Sequence, residues 1–308
     1  MDFELWKTRF RDWMVIRHFS ADTICGYLNS LEPFLTFFEA LGLTSWTEVS
    51  RDVIEEYRSH VFYQKNRRNG QALKVGTQVA RLVSVKSFFR FMVREGYVLA
   101  NPTSDLELPR TRRGLPVVLT EAEMLRFLEV PNIQTLWGMR DRTLLETLYG
   151  TGLRNSELCS LTLDQVDLVG HTVRLQKGKG NKGRVMPLGQ EAQYWLETYL
   201  EKVRPQLLRT PQVKSLFLDR WGHAPLTRGG LDQIVQRLSE QSGIGKTITP
   251  HILRHSCATH MLRHGASLRH IQELLGHTCL SSTEHYTRVE ISDLRKVISK
   301  CHPRERLQ

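Results

Sequence analysis

Residues 101–116 read NPTSDLELPRTRRGLP, and this stretch limits the fold more than any other. Pro102, Pro109 and Pro116 carry no amide donor and fix φ, and Gly114 adds a further break. No helix or strand runs through such punctuation, so the chain on either side folds separately. A length of 308 residues suits roughly two domains of ~100–200 residues each. The expected division is an N-terminal domain at 1–100, an extended basic linker at 101–116 and a second domain at 117–308. In the linker, Arg110, Arg112 and Arg113 either follow phosphates or serve as solvated charge.

The first hundred residues carry helical periodicity and no strand pattern. Ser20 suits a helix cap, followed by Ile24, Tyr27, Leu28, Leu31, Leu35 and Phe38 on one face, with Gly42 as the stop. Similar patterns predict helices over 48–63 and 77–95, the latter with Leu82, Val85, Phe89 and Met92 on one side, and a further one over 3–17. The expectation is a small helical bundle. Beyond the linker, Thr120 followed by early acids opens a helix over 121–129. Others are expected at 139–149, 190–203, 227–242, 250–264, 268–275 and 290–300. Residues 171–187 read as a β-hairpin, with Val173 and Leu175 alternating before a turn rich in glycine. The fold class expected is mainly α with a small β-hairpin or sheet, an α+β arrangement in the second domain.

Composition narrows the function. There are 43 Lys and Arg against 32 Asp and Glu, a net charge of +11. Residues 1–110 hold 15 basic and 13 acidic side chains, and residues 111–308 hold 28 and 19. An excess concentrated in the second domain favours a polyanionic partner, most often nucleic acid, over charge kept for solubility. No apolar run reaches the ~18–20 residues of a membrane-spanning helix, and MDFELWKTRF has no secretory signal core. Five scattered cysteines without a C-x-x-C fit reduced thiols in the cytoplasm better than a disulfide framework.

Two apparent motifs fail on their chemistry. Gly243-Ile244-Gly245-Lys246-Thr247 resembles the end of a phosphate-binding loop, but Glu240 stands where its first glycine belongs, and a helical pattern precedes it. His251 and His255 have zinc-helix spacing, yet Arg254 lies between them and no carboxylate completes a ligand set, so no metal is expected. The same segment suits an anion. Thr249 caps, Pro250 takes the first helical position, and His251 and Arg254 share a face near the helix start. Arg154, in TGLRNSEL, opens another helix; it either meets an anion or pairs with Glu157. Lys177, Lys179 and Lys182 crowd the hairpin turn, where one lysine can donate a proton. His277 follows a helix stop at Gly276, and Tyr286 lies nine residues further on.

Taken in order, TGLRNSEL, KGKGNKGRVMPLG, PHILRHSCATHMLRHGASLRHIQELLGH and STEHYT resemble the tyrosine recombinase (phage integrase) family, most closely its Xer-type bacterial members. The resemblance is dense over about 140–290 and looser in the helical half, which fits the family's core-binding domain. It implies a site-specific DNA recombinase with Arg154, Lys179, His251, Arg254, His277 and Tyr286 as catalytic residues, Tyr286 being the nucleophile. It implies a 3′-phosphotyrosine intermediate, with neither metal, ATP nor other cofactor. Arg112, Arg113, Lys177 and Lys182 are the further expected DNA contacts. The implied partners are double-stranded DNA, a second copy or a paralogue in a tetramer on two duplexes, and a DNA translocase, with no membrane. The helix near 290–300 is expected to dock on a neighbouring protomer, with packing on its own domain as the alternative. Type IB topoisomerases share this chemistry, but the separate N-terminal bundle and the Xer-like motif details speak for a recombinase.

Overall fold

The computed structural model describes residues 1–66, 70–110, 117–175, 183–276 and 291–305. The chain forms two compact units, Met1–Leu115 and Pro116–Gln308.

In the first unit, α1 (Phe3–Ile16), α2 (Ala21–Ala40), α3 (Arg51–Tyr63) and α4 (Val75–Arg94) follow in order. Asp2, Ser20 and Ser50 cap the first three, their side-chain oxygens accepting from the amides of Leu5, Thr23 and Val53. The predicted stripe on α2 is buried at Ile24, Leu31, Leu35 and Phe38, with Phe34 and Phe37 widening it. Pro33 lies inside α2 without ending it, because buried Leu31, Phe34 and Leu35 hold the flanking turns in the core. Trp46, on a short 3-10 turn, packs 4.6 Å from the Phe38 ring and 5.0 Å from that of Phe88. These aromatics join α2 and α4, whose contact is the broadest in the unit.

The second unit opens with α5 (Glu121–Glu129), held by a reciprocal cap between Thr120 and Glu123. Next comes α6 (Leu136–Thr151), its start three residues earlier than the apolar pattern indicated, with Thr135 as cap. It is buried almost throughout and packs against α8 and α11, defined below. A single helical turn, α7 (Asn155–Cys159), follows. The sheet contains β1 (Val166–Asp167), β2 (Thr172–Leu175) and β3 (Arg184–Pro187), antiparallel in that order. The expected hairpin is present as β2 and β3, with Leu175 opposite Arg184. Its turn, 176–182, lies outside the described residues. The two-residue β1 was not anticipated, being too short to show alternation.

The rest of the unit is helical: α8 (Gln190–Thr198), α9 (Arg204–Leu207), α10 (Arg228–Gln241), α11 (Pro250–Arg263), α12 (Leu268–Leu275) and α13 (Ile291–Cys301). A π-helical turn over Tyr199–Val203 joins α8 to α9. Helix α13 packs on β3, α11 and α12 of its own unit. The reason is its apolar face: Leu294, Ile298 and Cys301 are buried. Just beyond, Arg304 is fastened to Glu146 and Glu191 at 2.8 and 2.9 Å.

Candidate active site

Three segments bring the candidate residues together. Helix α6 ends at Gly152, with φ +63°, where a Cβ would stand 2.7 Å from Leu275 Cδ2. That turn aims Arg154 along the start of α7. Helix α12 ends at Gly276 in the same left-handed conformation. Helix α11 starts at Pro250 with Thr249 as cap and carries Arg254 in its second turn.

The two arginines meet at the end of α12. Arg154 Nη2 donates to Gly276 O at 2.7 Å, and Arg254 Nη2 donates to Leu275 O at 2.6 Å. Arg254 Nη1 donates to Gly152 O at 2.5 Å. Helix C-terminal carbonyls lack partners within the helix, so guanidinium donors satisfy them and face the negative end of its dipole. Glu157 binds the group together. Its Oε1 accepts from Arg154 Nη1 at 2.8 Å and its Oε2 from the Arg154 amide at 2.8 Å. Arg184, at the start of β3, adds two further bonds of 2.9 Å to the same carboxylate. Arg254 Nη1 stands 4.0 Å from Glu157 Oε2.

The electrostatics follow from this packing. Arg254 is only 6% exposed, and burial, with Arg154 beside it, lowers its guanidinium to about 10. It remains charged at neutral pH. Burial by itself would push the Glu157 carboxyl up, but Arg184 and Arg154 outweigh it and hold the group below its usual range. One carboxylate thus sits among three guanidiniums, leaving an excess of positive charge beside two fixed fork-shaped donors. Such an arrangement suits the non-bridging oxygens of a phosphodiester.

Of the residues singled out in the sequence, the structure brings Arg154 and Arg254 together. His251 stands exposed on the first turn of α11, one turn before Arg254. Lys179, His277 and Tyr286 lie outside the described residues, as do Lys177, Lys182, Arg112 and Arg113. Gly243 and Gly245 have φ of +63° and +73°, making their segment a turn after α10, and Lys246 is paired with Glu123 at 2.6 Å. Glu157 was legible as a partner for Arg154. Arg184 was not singled out, because an arginine closing a lysine-rich turn reads as one more solvated cation. The available signal was its place at the first position of β3, on a strand whose remaining residues are apolar.

Known proteins give the same direction. The phage integrase family matches residues 117–292, and the phage integrase N-terminal SAM-like domain matches residues 9–96. Tyrosine recombinase XerD of Staphylococcus aureus is 40% identical over 286 residues, covering 92% of this chain and 94% of that protein. Tyrosine recombinase XerD of Staphylococcus saprophyticus has the same identity and coverage. The fold is similar to that of a lambda integrase (75–356) dimer bound to a COC′ core site, with a TM-score of 0.67 at 18% identity, covering 94% of this chain and 100% of that one. It is also similar to XerH site-specific recombinase bound to difH substrate, with a TM-score of 0.65 at 22% identity, covering 94% and 79%. The chain belongs to the phage integrase family and is a site-specific tyrosine recombinase.

Proposed function

We propose that this chain cleaves and rejoins double-stranded DNA at a defined site, with Tyr286 as nucleophile. The observation that carries this reading is the convergence of Arg154 and Arg254 on the end of α12, one residue before His277. The Tyr286 phenol oxygen attacks the phosphorus, the bond to the 5′-oxygen breaks, and a 3′-phosphotyrosine link forms. Arg154 and Arg254 hold the non-bridging oxygens, and His277 donates a further hydrogen bond. Preorganised donors of this kind are each worth ~3–4 kcal/mol in the transition state. Lys179 gives a proton to the leaving 5′-oxygen, and His251 receives or orients the phenol proton. The reverse step, with a 5′-hydroxyl from another strand, rejoins DNA and releases the phenol. The covalent link conserves the bond, so the exchange needs neither ATP nor metal.

The same reading assigns 1–100 to a core-binding domain and 117–308 to the catalytic domain. The 101–116 linker lets them close round the duplex, with Arg112, Arg113, Lys177 and Lys182 on phosphates. Two duplexes and four strands call for a tetramer of this chain, or of this chain with a paralogue, in the cytoplasm. Chromosome or plasmid dimer resolution, triggered by a translocase, and integration of a mobile element are the roles this chemistry serves. Binding weakens steeply with salt as phosphate contacts release counterions.

Covalent capture tests the reading. The protein is incubated with fragmented genomic DNA of its source organism, denatured in detergent, and the linked DNA is sequenced beside a Tyr286→Phe control. Adducts that depend on Tyr286 and map to one or a few sites are expected. Adducts scattered over all DNA would indicate a topoisomerase, and adducts that persist in Tyr286→Phe would remove the nucleophile assignment.

A further inference from the structure

We propose that Arg184 is a positioning residue that, through Glu157, locks Arg154 to the base of the β2–β3 hairpin and to the end of α12. The inference rests on the recombinase reading above.

Three contacts carry it. First, Arg184 makes two parallel bonds to Glu157, the carboxylate that holds both the backbone and the side chain of Arg154. Second, it is the first residue of β3 and pairs with Leu175, so it closes the base of the hairpin whose intervening residues include Lys179. Third, its guanidinium lies against Gly276. A Cβ on Gly276 would come within 2.7 Å of Arg184 Nη1 and 2.9 Å of Cζ, so a bare glycine lets the arginine reach the end of α12. His277 is the next residue. Arg184 therefore joins the helix start of Arg154, the base of the β2–β3 hairpin and the end of α12.

The chemistry asks for arginine specifically. Glu157 accepts from three donor groups at once, and a planar fork supplies two of those bonds in a fixed plane, which an ammonium cannot. The side chain is only 15% exposed, so its charge is poorly screened. With Arg184 removed, burial of Glu157 would favour the protonated carboxyl. A protonated Glu157 donates where it now accepts, and Arg154 loses its anchor while still present. Arg184 thus acts through Glu157 and Arg154, without a contact to the reacting atoms.

The test uses the full chain and a duplex bearing the captured site, nicked so that cleavage is trapped. Cleavage rate at saturating DNA and DNA affinity are measured for wild type, Arg184→Met, Arg184→Lys, Glu157→Gln, the Arg184→Met/Glu157→Gln pair and Arg174→Gln. Arg174 is an exposed cation on the facing strand β2 and serves as the control for lost hairpin charge. Arg184→Met is expected to slow cleavage ~100-fold with affinity within ~3-fold of wild type. Arg184→Lys should recover about a tenth of the wild-type rate. The Arg184→Met loss should deepen as pH falls, because the buried Glu157 carboxylate has lost the guanidinium that helps hold it ionised. The paired variant should be no slower than the slower single one.

Arg184→Met cleaving within ~3-fold of wild type overturns the role. So do additive losses in the pair, a defect unchanged by pH and unrelieved by lysine, or failure of both Arg184 variants to fold, which would make the residue one of stability alone. Should the wild type form no tyrosine-linked adduct at all, the recombinase reading falls first and this role with it.

Discussion

Among the described residues, the buried polar side chains of Met1–Leu115 are Gln78, Ser84, Ser87 and Thr103, none of them charged. Pro116–Gln308 buries Arg140, Asp141, Arg142, Glu146, Arg204, Arg254, His260 and His302. The first unit is held by rings: Phe10, Phe34, Phe38, Phe88, Phe89 and Phe91 are each at most 2% exposed. The second is wired by ions around α6. Arg140 meets Asp141 at 2.6 Å, Arg237 meets the same carboxylate at 2.5 Å, and Glu146 accepts from Arg142 and Arg304 at 2.9 and 2.8 Å. Arg204 donates to the carbonyls of Val213, Ser215 and Leu216. Buried charge is costly unless paired, so each of these groups has its partner. The difference follows from what each unit must hold. Aromatic packing sets a shape at little electrostatic cost. Holding the guanidiniums of Arg154 and Arg254 side by side needs a surround that is itself polar and rigid.

Four measurements would break or sharpen this contrast, each read by hydrogen exchange resolved to the individual unit. Phe88→Ala removes a ring in contact with Phe10, Trp46, Phe89 and Phe91. It should destabilise the first unit by about 3–5 kcal/mol, with no dependence on pH or salt. A loss that varied with salt would mean that charge contributes to that core after all.

Arg304→Ala should cost the second unit about 3 kcal/mol, because it strands the buried Glu146 with one partner fewer. Burial already raises the Glu146 carboxyl above its usual value, against the pull of Arg304 and Arg142. Protection should fall first in α13 and in α6, which the tail joins. A uniform loss across both units would contradict the local wiring.

The third effect is one of pH. Burial lowers the His302 imidazole from 6.5 to about 4. The unfolded chain therefore binds a proton on this group between those values while the folded chain does not. Its contribution is fully present above about pH 6.5 and is lost as pH falls towards 4, by roughly 2–3 kcal/mol. His302→Gln should flatten that slope in the second unit only. An equal slope in the first unit would remove the contrast.

The smallest effect belongs to Tyr149→Phe. The Tyr149 hydroxyl and His260 Nδ1 are 2.9 Å apart in the core, and His260 Nε2 lies 2.7 Å from Leu119 O. Losing the hydroxyl should cost about 1 kcal/mol in the second unit, with DNA cleavage unchanged. A large loss of cleavage would instead place this network within the active site.

Much of the architecture was legible beforehand, and for local reasons. The helices of the first unit are written in spacing and caps, as Ser20 and the α2 stripe show. The β2–β3 hairpin announced itself by alternation around a glycine-rich turn. The short β1 and α9 escaped because two to four residues cannot display a period. Arg154 and Arg254 were legible from their motifs and helix starts. Their convergence was not, since α7 and α11 are a hundred residues apart in the chain.

What the sequence determined alone was therefore the class of chemistry. Residue types in a fixed order, helix caps, and the excess of basic charge are local facts that survive without a fold. Tertiary structure decided how those residues cooperate. It set Glu157 among Arg154, Arg184 and Arg254, turned α13 back on its own unit, and placed Gly152 against Leu275 and Gly276 against Arg184. These are distances between segments far apart in the chain. They are settled by which surfaces pack and which buried charges find partners, and no window of neighbouring residues encodes them.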